Sequence, residues 1–323
     1  MSDVLFDPFF RLSDVVIFHF GVYYPLFDAL FIVPNGAKSV VVFHNITPKE
    51  YLPPSDHEII DKSFNQVSNI VCADHIVCVS FTNKAFLASL GINVASASVL
   101  PLSLTAVEDP PQHKPSFHDR ILRLLFVGRF VQSKGPVDLL VAASNVLQAR
   151  FDINVQIDFV ANLAFSDPEL VSEIRSLSDA LLAEYGQRLT IGIHGNAPES
   201  LKRSLFAAAD IFVLPTRHEG FCVPILEAYQ GGCCVVSYLN SNVVDISGGF
   251  ARLVSTCDVH LLAQAISEVA DLVQSDEWRM GGGYLEYREN VLAYCQRFDP
   301  QRARSRFLNY LDDVARGSRP SAL

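Results

Sequence analysis

The chain has 323 residues, half of them hydrophobic, and its 25 Lys and Arg against 35 Asp and Glu give a net charge of −10. This length and hydrophobic content predict two globular domains rather than a disordered chain. The negative charge argues against a dedicated nucleic-acid-binding protein, which needs a basic surface.

The first half of the sequence alternates short apolar segments with segments of helical periodicity. We predict strands at 15–20, 39–44, 75–80 and 98–102. Between the second and third of these, Ile60, Phe64, Val67 and Val71 recur at helical spacing. Strands that alternate with helices are typical of a parallel sheet in an α/β domain.

A proline-rich segment at 107–119 separates this series from a second one and is interpreted as an interdomain linker. We therefore place an N-terminal domain with its linker at 1–118 and a C-terminal domain at 119–297. A last amphipathic helix within 298–323 could pack back on the N-terminal domain.

The second series is longer and more regular than the first. We predict strands at 121–127, 153–159, 189–193, 211–214 and 233–237, and helices after Gly135, after Asp167, at 198–208, at 224–230, after Asp258 and at 301–314. The fold class is therefore α/β, with two Rossmann-like, doubly wound parallel-sheet domains facing a cleft. In such sheets a ligand binds at the carboxyl ends of the strands.

The segment 216–227 carries the first candidate site. A strand ends before it, Glu219 lies in the loop, and Pro224 stands where a helix would begin. The amides of Phe221 and Cys222 would then lie at a helix N-terminus, which suits a diphosphate. Glu219 and Glu227 could accept hydrogen bonds from sugar hydroxyls. The alternative is an acidic pair that only complements the helix dipole.

A second candidate site follows the first strand of the same predicted domain. Gly128 ends the strand, and Arg129 and Lys134 supply two cations before the next helix. Cations at this edge could neutralise a pyrophosphate leaving group. The alternative is a surface turn with two solvated side chains.

These two motifs, in one domain and in this order, resemble glycosyltransferase family 4. The likeness covers about 121–273 closely and about 14–105 more loosely. It implies a GT-B fold and a retaining, metal-independent transfer from a nucleotide diphosphate sugar. By this resemblance Arg129 and Lys134, beside Gly128, would bind the diphosphate. Glu219 would contact the donor sugar and Glu227 the ribose hydroxyls, while the amides of Phe221 and Cys222 would cap the phosphate.

Three histidines are further candidates. His44 ends a predicted strand and begins the segment His-Asn-Ile-Thr-Pro, and the matching histidine of the family contacts the transferred sugar near the reacting carbon. A buried structural histidine is the alternative. We expect His194 at the floor of the cleft, near the nucleotide. For His19, which also ends a predicted strand, a structural role stays equally open.

The sequence departs from the family pattern in two places. Few residues precede the strand at 15–20, and the Gly-rich loop that closes over the donor phosphates has no visible counterpart, so the N-terminal domain looks incomplete. Cys222 also replaces a glycine of the family motif. The alternatives to an active enzyme are therefore a nucleotide-sugar-binding subunit and an inactive or truncated copy that needs a partner chain.

We expect a hexosyltransferase that uses a UDP- or GDP-sugar and a glycan or lipid-linked acceptor in polysaccharide or cell-envelope synthesis. Another GT-B enzyme, such as a sugar-nucleotide epimerase, is a further possibility. We expect no cofactor and no metal, because the sequence contains no Asp-x-Asp motif.

The expected location follows from the cysteines and the N-terminus. The seven cysteines are odd in number and lack CxxC spacing, so we interpret them as reduced thiols rather than zinc ligands or a disulfide framework. The acidic N-terminus lacks the basic region of a signal peptide. We therefore expect a cytoplasmic protein, with peripheral contact at the inner membrane face as an alternative.

Overall fold

The structure, a computed structural model, describes residues 2–105, 110–119 and 121–317. Every strand pairing described in these ranges is parallel. The strands are β1 Val15–Phe20, β2 Lys38–Phe43, β3 His75–Cys78, β4 Ser98–Val99, β5 Ile121–Val127, β6 Asn154–Ala161, β7 Leu189–Gly195, β8 Ile211–Leu214, β9 Cys234–Leu239 and β10 Ala251–Ser255.

The α-helices of the same ranges vary from one turn to five. They are α1 Ser2–Phe6, α2 Pro8–Leu12, α3 His57–Gln66, α4 Phe81–Ser89, α5 Ser116–Asp119, α6 Pro136–Ala149, α7 Pro168–Tyr185, α8 Glu199–Ala208, α9 Val223–Gln230, α10 Val243–Ile246, α11 Val259–Gln274, α12 Asp276–Arg279, α13 Gly283–Cys295 and α14 Pro300–Ala315.

The predicted strands lie where the apolar segments stand, and β1, β5 and β8 have the predicted bounds. Two strands are shorter than predicted. β3 ends at Cys78 because Ser80 already caps α4, its hydroxyl accepting a hydrogen bond from the Asn83 amide. β4 ends before Pro101, which has no N–H to donate to a neighbouring strand.

The chain divides into two compact units. The first comprises the chain up to Ser103, the short segment Glu219–Phe221 and the chain from Phe298 onward, and the second comprises Leu104–His218 and Cys222–Arg297. α14 therefore belongs to the first unit, where Tyr310 is buried and its ring lies 6.4 Å from the ring of His75.

The first unit contains a four-stranded parallel sheet in the order β1-β2-β3-β4. The central β2 is buried from Ser39 to Phe43, as expected for a parallel strand that is covered on both faces. Phe20, Phe27 and Phe43 form the centre of the core cluster beside it.

The second unit contains a six-stranded parallel sheet in the order β10-β9-β8-β5-β6-β7. β5 is central, and the direction of strand succession reverses between β5 and its neighbour β8. This reversal is the topological switch point, where the loops that leave two adjacent strands diverge and open a crevice. The predicted α/β class with two Rossmann-like parallel sheets is thus confirmed.

The described part of the segment interpreted as a linker belongs to the second unit and is anchored there by buried contacts. Residues 107–109 lie outside the described ranges. Beyond them Lys114 is only 2% exposed, and its Nζ donates to the carbonyls of Phe206, Ala207 and Gly231 at 3.2, 3.1 and 2.6 Å. The structure therefore divides the units at 103–104, whereas the sequence places the domain boundary at 118.

Lys114 is expected to contribute strongly to the stability of the second unit. Its ammonium lies at the C-terminal ends of α8 and α9, where the carbonyls lack helical partners and the helix dipoles favour a cation. Lys114→Met would leave three carbonyls without this donor, so we expect a loss of roughly 3 kcal/mol in the free energy of unfolding.

The single tryptophan, Trp278, is buried in the second unit, so its fluorescence during urea denaturation reports on the effect of Lys114→Met. Arg203→Met is the control, because Arg203 belongs to the same unit, is half exposed and pairs with Glu199 at the surface. Equal urea midpoints for the two variants would contradict the prediction.

Among the residues that the structure describes, no helix is both long enough and apolar enough to cross a membrane.

Candidate functional site

The loop that leaves β5 carries the predicted cations. The Gly128 amide donates to the Val160 carbonyl at 3.0 Å, which extends the β5–β6 ladder by one residue. Arg129 then projects as an exposed side chain, and Lys134 is half-buried. Gly135, the residue before α6, has a left-handed φ of 62°, and a Cβ there would collide with the Pro215 carbonyl. Only glycine fits this approach without strain.

The loop that leaves β8 lies directly beside the β5 loop. The Ser133 carbonyl accepts hydrogen bonds from the Arg217 amide at 2.7 Å and from the Thr216 hydroxyl at 3.0 Å. The Arg217 guanidinium also faces the Asp138 carboxylate at 3.3 Å, and Tyr238 donates to that carboxylate at 2.9 Å. Both loops are therefore fixed at the switch point of the sheet, where doubly wound folds bind their ligands.

The residue that precedes α9 has an unusual backbone conformation. Cys222, its N-cap, is buried and has a left-handed φ of 75°, a conformation that costs a residue with a Cβ roughly 1–2 kcal/mol. This conformation gives a physical reason for the glycine of the family motif. The prediction that α9 starts near Pro224 is confirmed, with Val223 as its first residue.

Glu227 is part of an ion pair that the sequence did not predict. Lys202 of α8 donates to Glu227 Oε1 at 2.8 Å and to Glu199 at 3.0 Å. Burial lowers the pKa of Lys202, but its bonds to Glu227 and Glu199 outweigh burial and raise it. The pair fixes the Glu227 carboxylate, whose second oxygen can still accept a hydroxyl donor.

His194 lies on β7, two strands from β5, and pairs with a carboxylate on β6. Its Nε2 lies 2.7 Å from Asp158 Oδ1, and Gln156 donates to the other oxygen of Asp158 at 2.7 Å. A carboxylate only accepts hydrogen bonds, so Nε2 carries the proton and Nδ1 of the neutral ring is an acceptor. Gly192 makes room for this pair, because a Cβ there would lie 2.7 Å from Asp158 Oδ1.

In the first unit, the segment that carries Glu219 lies against the segment that carries His44. Glu219 is 7% exposed. A Cβ on Gly220 would lie 2.5 Å from the His44 carbonyl oxygen and 2.9 Å from Asn45 Cβ, so the two backbones are in direct contact. The structure thus brings together the segments of the two residues that are expected to contact the transferred sugar, although their spacing in the chain gives no sign of it.

His44 also faces the other candidate histidine of this unit. Its Nε2 lies 2.8 Å from Nδ1 of His19, and the two rings stack. Burial, followed by the charge of His19, lowers the pKa of His44, which favours a neutral imidazole. Phe221, beside Glu219 and Gly220, is buried against the ring of Phe298.

Comparison with known proteins supports the predicted resemblance. Residues 122–271, which run from β5 to α11, match the family model described as Glycosyl transferases group 1. This range contains the Arg129 loop, Glu219 and Glu227, so the motifs that suggested the resemblance lie inside the match. The resemblance to the glycosyltransferases is confirmed.

Two curated proteins of Escherichia coli are similar to this chain. One is UDP-Gal:alpha-D-GlcNAc-diphosphoundecaprenol alpha-1,3-galactosyltransferase, 25% identical over 211 residues, which are 62% of this chain and 52% of that protein. The other is O-antigen chain mannosyltransferase B, 30% identical over 116 residues, which are 35% of this chain and 30% of that protein. The matched part thus spans about half or less of either relative. Both support a transferase enzyme, the class predicted from the sequence.

Solved structures confirm the fold. Sucrose-phosphate synthase from Thermosynechococcus elongatus superposes with a TM-score of 0.71 at 19% identity, covering 95% of this chain and 75% of that one. At this identity the likeness shows the architecture alone, which is the GT-B fold of two Rossmann-like parallel sheets. The predicted fold class is therefore confirmed on independent grounds.

Proposed function

We propose that the chain is a retaining glycosyltransferase that moves a hexose from a nucleotide diphosphate sugar to a glycan or lipid-linked acceptor. The observation that carries this proposal is the position of the Arg129–Lys134 loop at the switch point of a doubly wound sheet, fixed to the loop that leads to Glu219. Cations at that edge suit a diphosphate, and the carboxylates of Glu219 and Glu227 suit the hydroxyls of a sugar.

We propose that different residues of the site bind different parts of the donor. Arg129 and Lys134, beside Gly128, bind the diphosphate, with the amides of Phe221 and Cys222 as further donors. Glu227, fixed by Lys202, accepts the ribose hydroxyls, and His194 lies near the nucleotide. β7, which carries His194, lies two strand spacings from β5 with β6 between them, a distance of about 10 Å. That span is similar to the length of a nucleoside diphosphate.

We propose a UDP- or GDP-sugar as donor and a lipid-linked or saccharide acceptor of polysaccharide or cell-envelope synthesis. The support is the pair of bacterial relatives, whose names give a UDP-Gal donor with a diphosphoundecaprenol acceptor and an O-antigen chain. The proposed location is the cytoplasm, at the inner membrane face when the acceptor is lipid-linked. The seven free thiols are consistent with a reducing compartment.

Calorimetry with UDP-, GDP-, ADP- and CMP-sugars tests the proposal. We expect one nucleotide class to bind, and Arg129→Ala to weaken that binding about tenfold through the loss of charge-assisted hydrogen bonds. Arg175→Ala is the control, because Arg175 is an exposed cation on α7. Failure of all four nucleotide sugars to bind would refute the proposal.

A transfer assay then separates the alternatives. Labelled sugar that appears in an added acceptor supports the transferase. Donor binding without transfer by the purified chain would instead identify a nucleotide-sugar-binding subunit or an inactive copy, and turnover that begins on addition of a partner chain would select the subunit. Conversion of the donor sugar without any acceptor would identify an epimerase.

We further expect transfer to need no divalent metal. Arg129 and Lys134 can neutralise the charge that develops on the departing diphosphate, which is the role a metal would otherwise take. Initial transfer rates in EDTA should therefore equal those in buffer with added magnesium. A rate that falls in EDTA and recovers on addition of magnesium would contradict this.

A further inference from the structure

His19 and His44 form a side-chain pair across two neighbouring strands. β1 and β2 pair in parallel with His19 opposite Val42, so His44, one residue beyond β2, lies at the same carboxyl edge as His19. Their ring centroids are 5.1 Å apart with an interplanar angle of 26°, and Nδ1 of His19 lies 2.8 Å from Nε2 of His44. At this distance and geometry the two nitrogens share one hydrogen bond.

This hydrogen bond couples the tautomers of the two neutral rings. If Nε2 of His44 donates, then Nδ1 of His19 is an acceptor, and each ring carries its proton on Nε2. If Nδ1 of His19 donates, each ring carries its proton on Nδ1. Both rings therefore adopt the same tautomer, and replacement of one ring releases the other from this constraint.

The backbone of His44 is fixed independently of the ring. Its amide donates to the Phe20 carbonyl at 2.8 Å, and its carbonyl lies against Gly220, the neighbour of Glu219. His19 is exposed while His44 is half-buried. The contact with His19 uses Nε2 of His44, so Nδ1 is the ring nitrogen that this contact leaves for a substrate.

We propose that His19 is a positioning residue for His44: it orients the His44 imidazole and couples the tautomer of His44 to its own. This inference rests on the proposed function together with the role that the family resemblance implies for His44, contact with the transferred sugar. Because the two rings share one tautomer, a group that fixes the proton of one ring also fixes the state in which Nδ1 of His44 meets the sugar. Such control of one imidazole nitrogen by the bond at the other is common in functional histidines.

Two substitutions of His19 test the contribution of its aromatic ring and that of its Nδ1 atom separately. His19→Phe keeps an aromatic ring against His44 but removes the nitrogen, and His19→Asn keeps a hydrogen-bonding group near the place of Nδ1 without the ring. We expect His19→Phe to lower kcat about tenfold, the measure of one hydrogen bond, with little change in donor KM. His19→Asn should recover most of this loss. His260→Asn, an exposed histidine of α11, is the matched control.

The ¹⁵N shifts of the imidazole nitrogens give a readout that a structural role would not move. At a pH at which both rings are neutral, His19 and His44 of the unaltered chain should show the same tautomer, and His44 in His19→Phe should populate both. Unequal tautomers, or identical His44 shifts before and after His19→Phe, would overturn the inference even where kcat falls.

A His44→Phe variant distinguishes failure of the inference from failure of the proposed role of His44. If His44→Phe transfers sugar at the full rate, His44 has no part in transfer, and both fall together. If His44→Phe is inactive while His19→Phe has normal kcat and normal His44 shifts, only the inference is overturned.

Discussion

Replacing Glu219 with glutamine is expected to lower kcat for sugar transfer by about 100-fold or more, while UDP or GDP binds as before. Glu219 is 7% exposed, and hydrogen bonds to a carboxylate in a site with little water are far stronger than those to a neutral amide. Removal of one such group that acts on the reacting centre costs about 10²–10³ in rate.

The glutamine variant keeps the shape of the side chain, so an effect on the fold should be small. The free nucleotide lacks the sugar that Glu219 is proposed to contact, and its affinity therefore separates a sugar contact from general damage. Glu286→Gln, on the exposed face of α13, is the matched control. Transfer by Glu219→Gln within twofold of the unaltered chain would refute the assignment, and equal loss of nucleotide binding would indicate a structural role instead.

Elements buried on both faces were the most predictable part of the fold. β8 is a continuous apolar segment and β5 is interrupted only by Arg123, and their predicted bounds match the structure because strands of a parallel sheet are covered on both faces. β10 was not predicted, because as an edge strand it is half exposed and its sequence, Ala-Arg-Leu-Val-Ser, lacks a continuous apolar segment. α13 was also missed: its buried Tyr284, Val291 and Cys295 recur at helical spacing, but the exposed Leu285 lies off this face and makes the apolar stripe less distinct.

The site residues were predicted from sequence motifs, but motifs could not predict which residues pair with them. Lys202 pairs with Glu227 across two helices, and Asp158 pairs with His194 across two strands. A sequence motif gives a residue type at a position, whereas these pairs depend on which helices and strands become neighbours. His19 could have been paired with His44, because both stand at the ends of predicted strands, but strand order was needed to place those ends together.

The contact at Gly220 leads to the second large expected effect. In Gly220→Ala the new Cβ would lie 2.5 Å from the His44 carbonyl oxygen and 2.9 Å from Asn45 Cβ, where real contacts stay above 3.0 Å. Both neighbours are close to the backbone and cannot rotate away as the tip of a long side chain could. Either the His44 segment or the Glu219 segment must therefore move by about half an ångström.

A shift of this size should affect catalysis more than stability. Misplacement of catalytic groups by about 1 Å can cost 100-fold in rate, so we expect transfer by Gly220→Ala to fall between about tenfold and 100-fold. Steady-state transfer kinetics and thermal unfolding of the same preparation measure the two effects separately.

Gly91→Ala is the matched control for Gly220→Ala, because it adds the same methyl group at a glycine that has open space around it. Gly91 has a left-handed φ of 82° and no atom within 4 Å of a new Cβ, so its replacement strains the backbone by about 1 kcal/mol but displaces no neighbour. We expect Gly91→Ala to lower the unfolding temperature and leave transfer unchanged. Gly220→Ala should lower transfer with little change in the unfolding temperature. If both variants lose stability and activity in parallel, the Gly220 contact supports the fold rather than the alignment of Glu219 with His44.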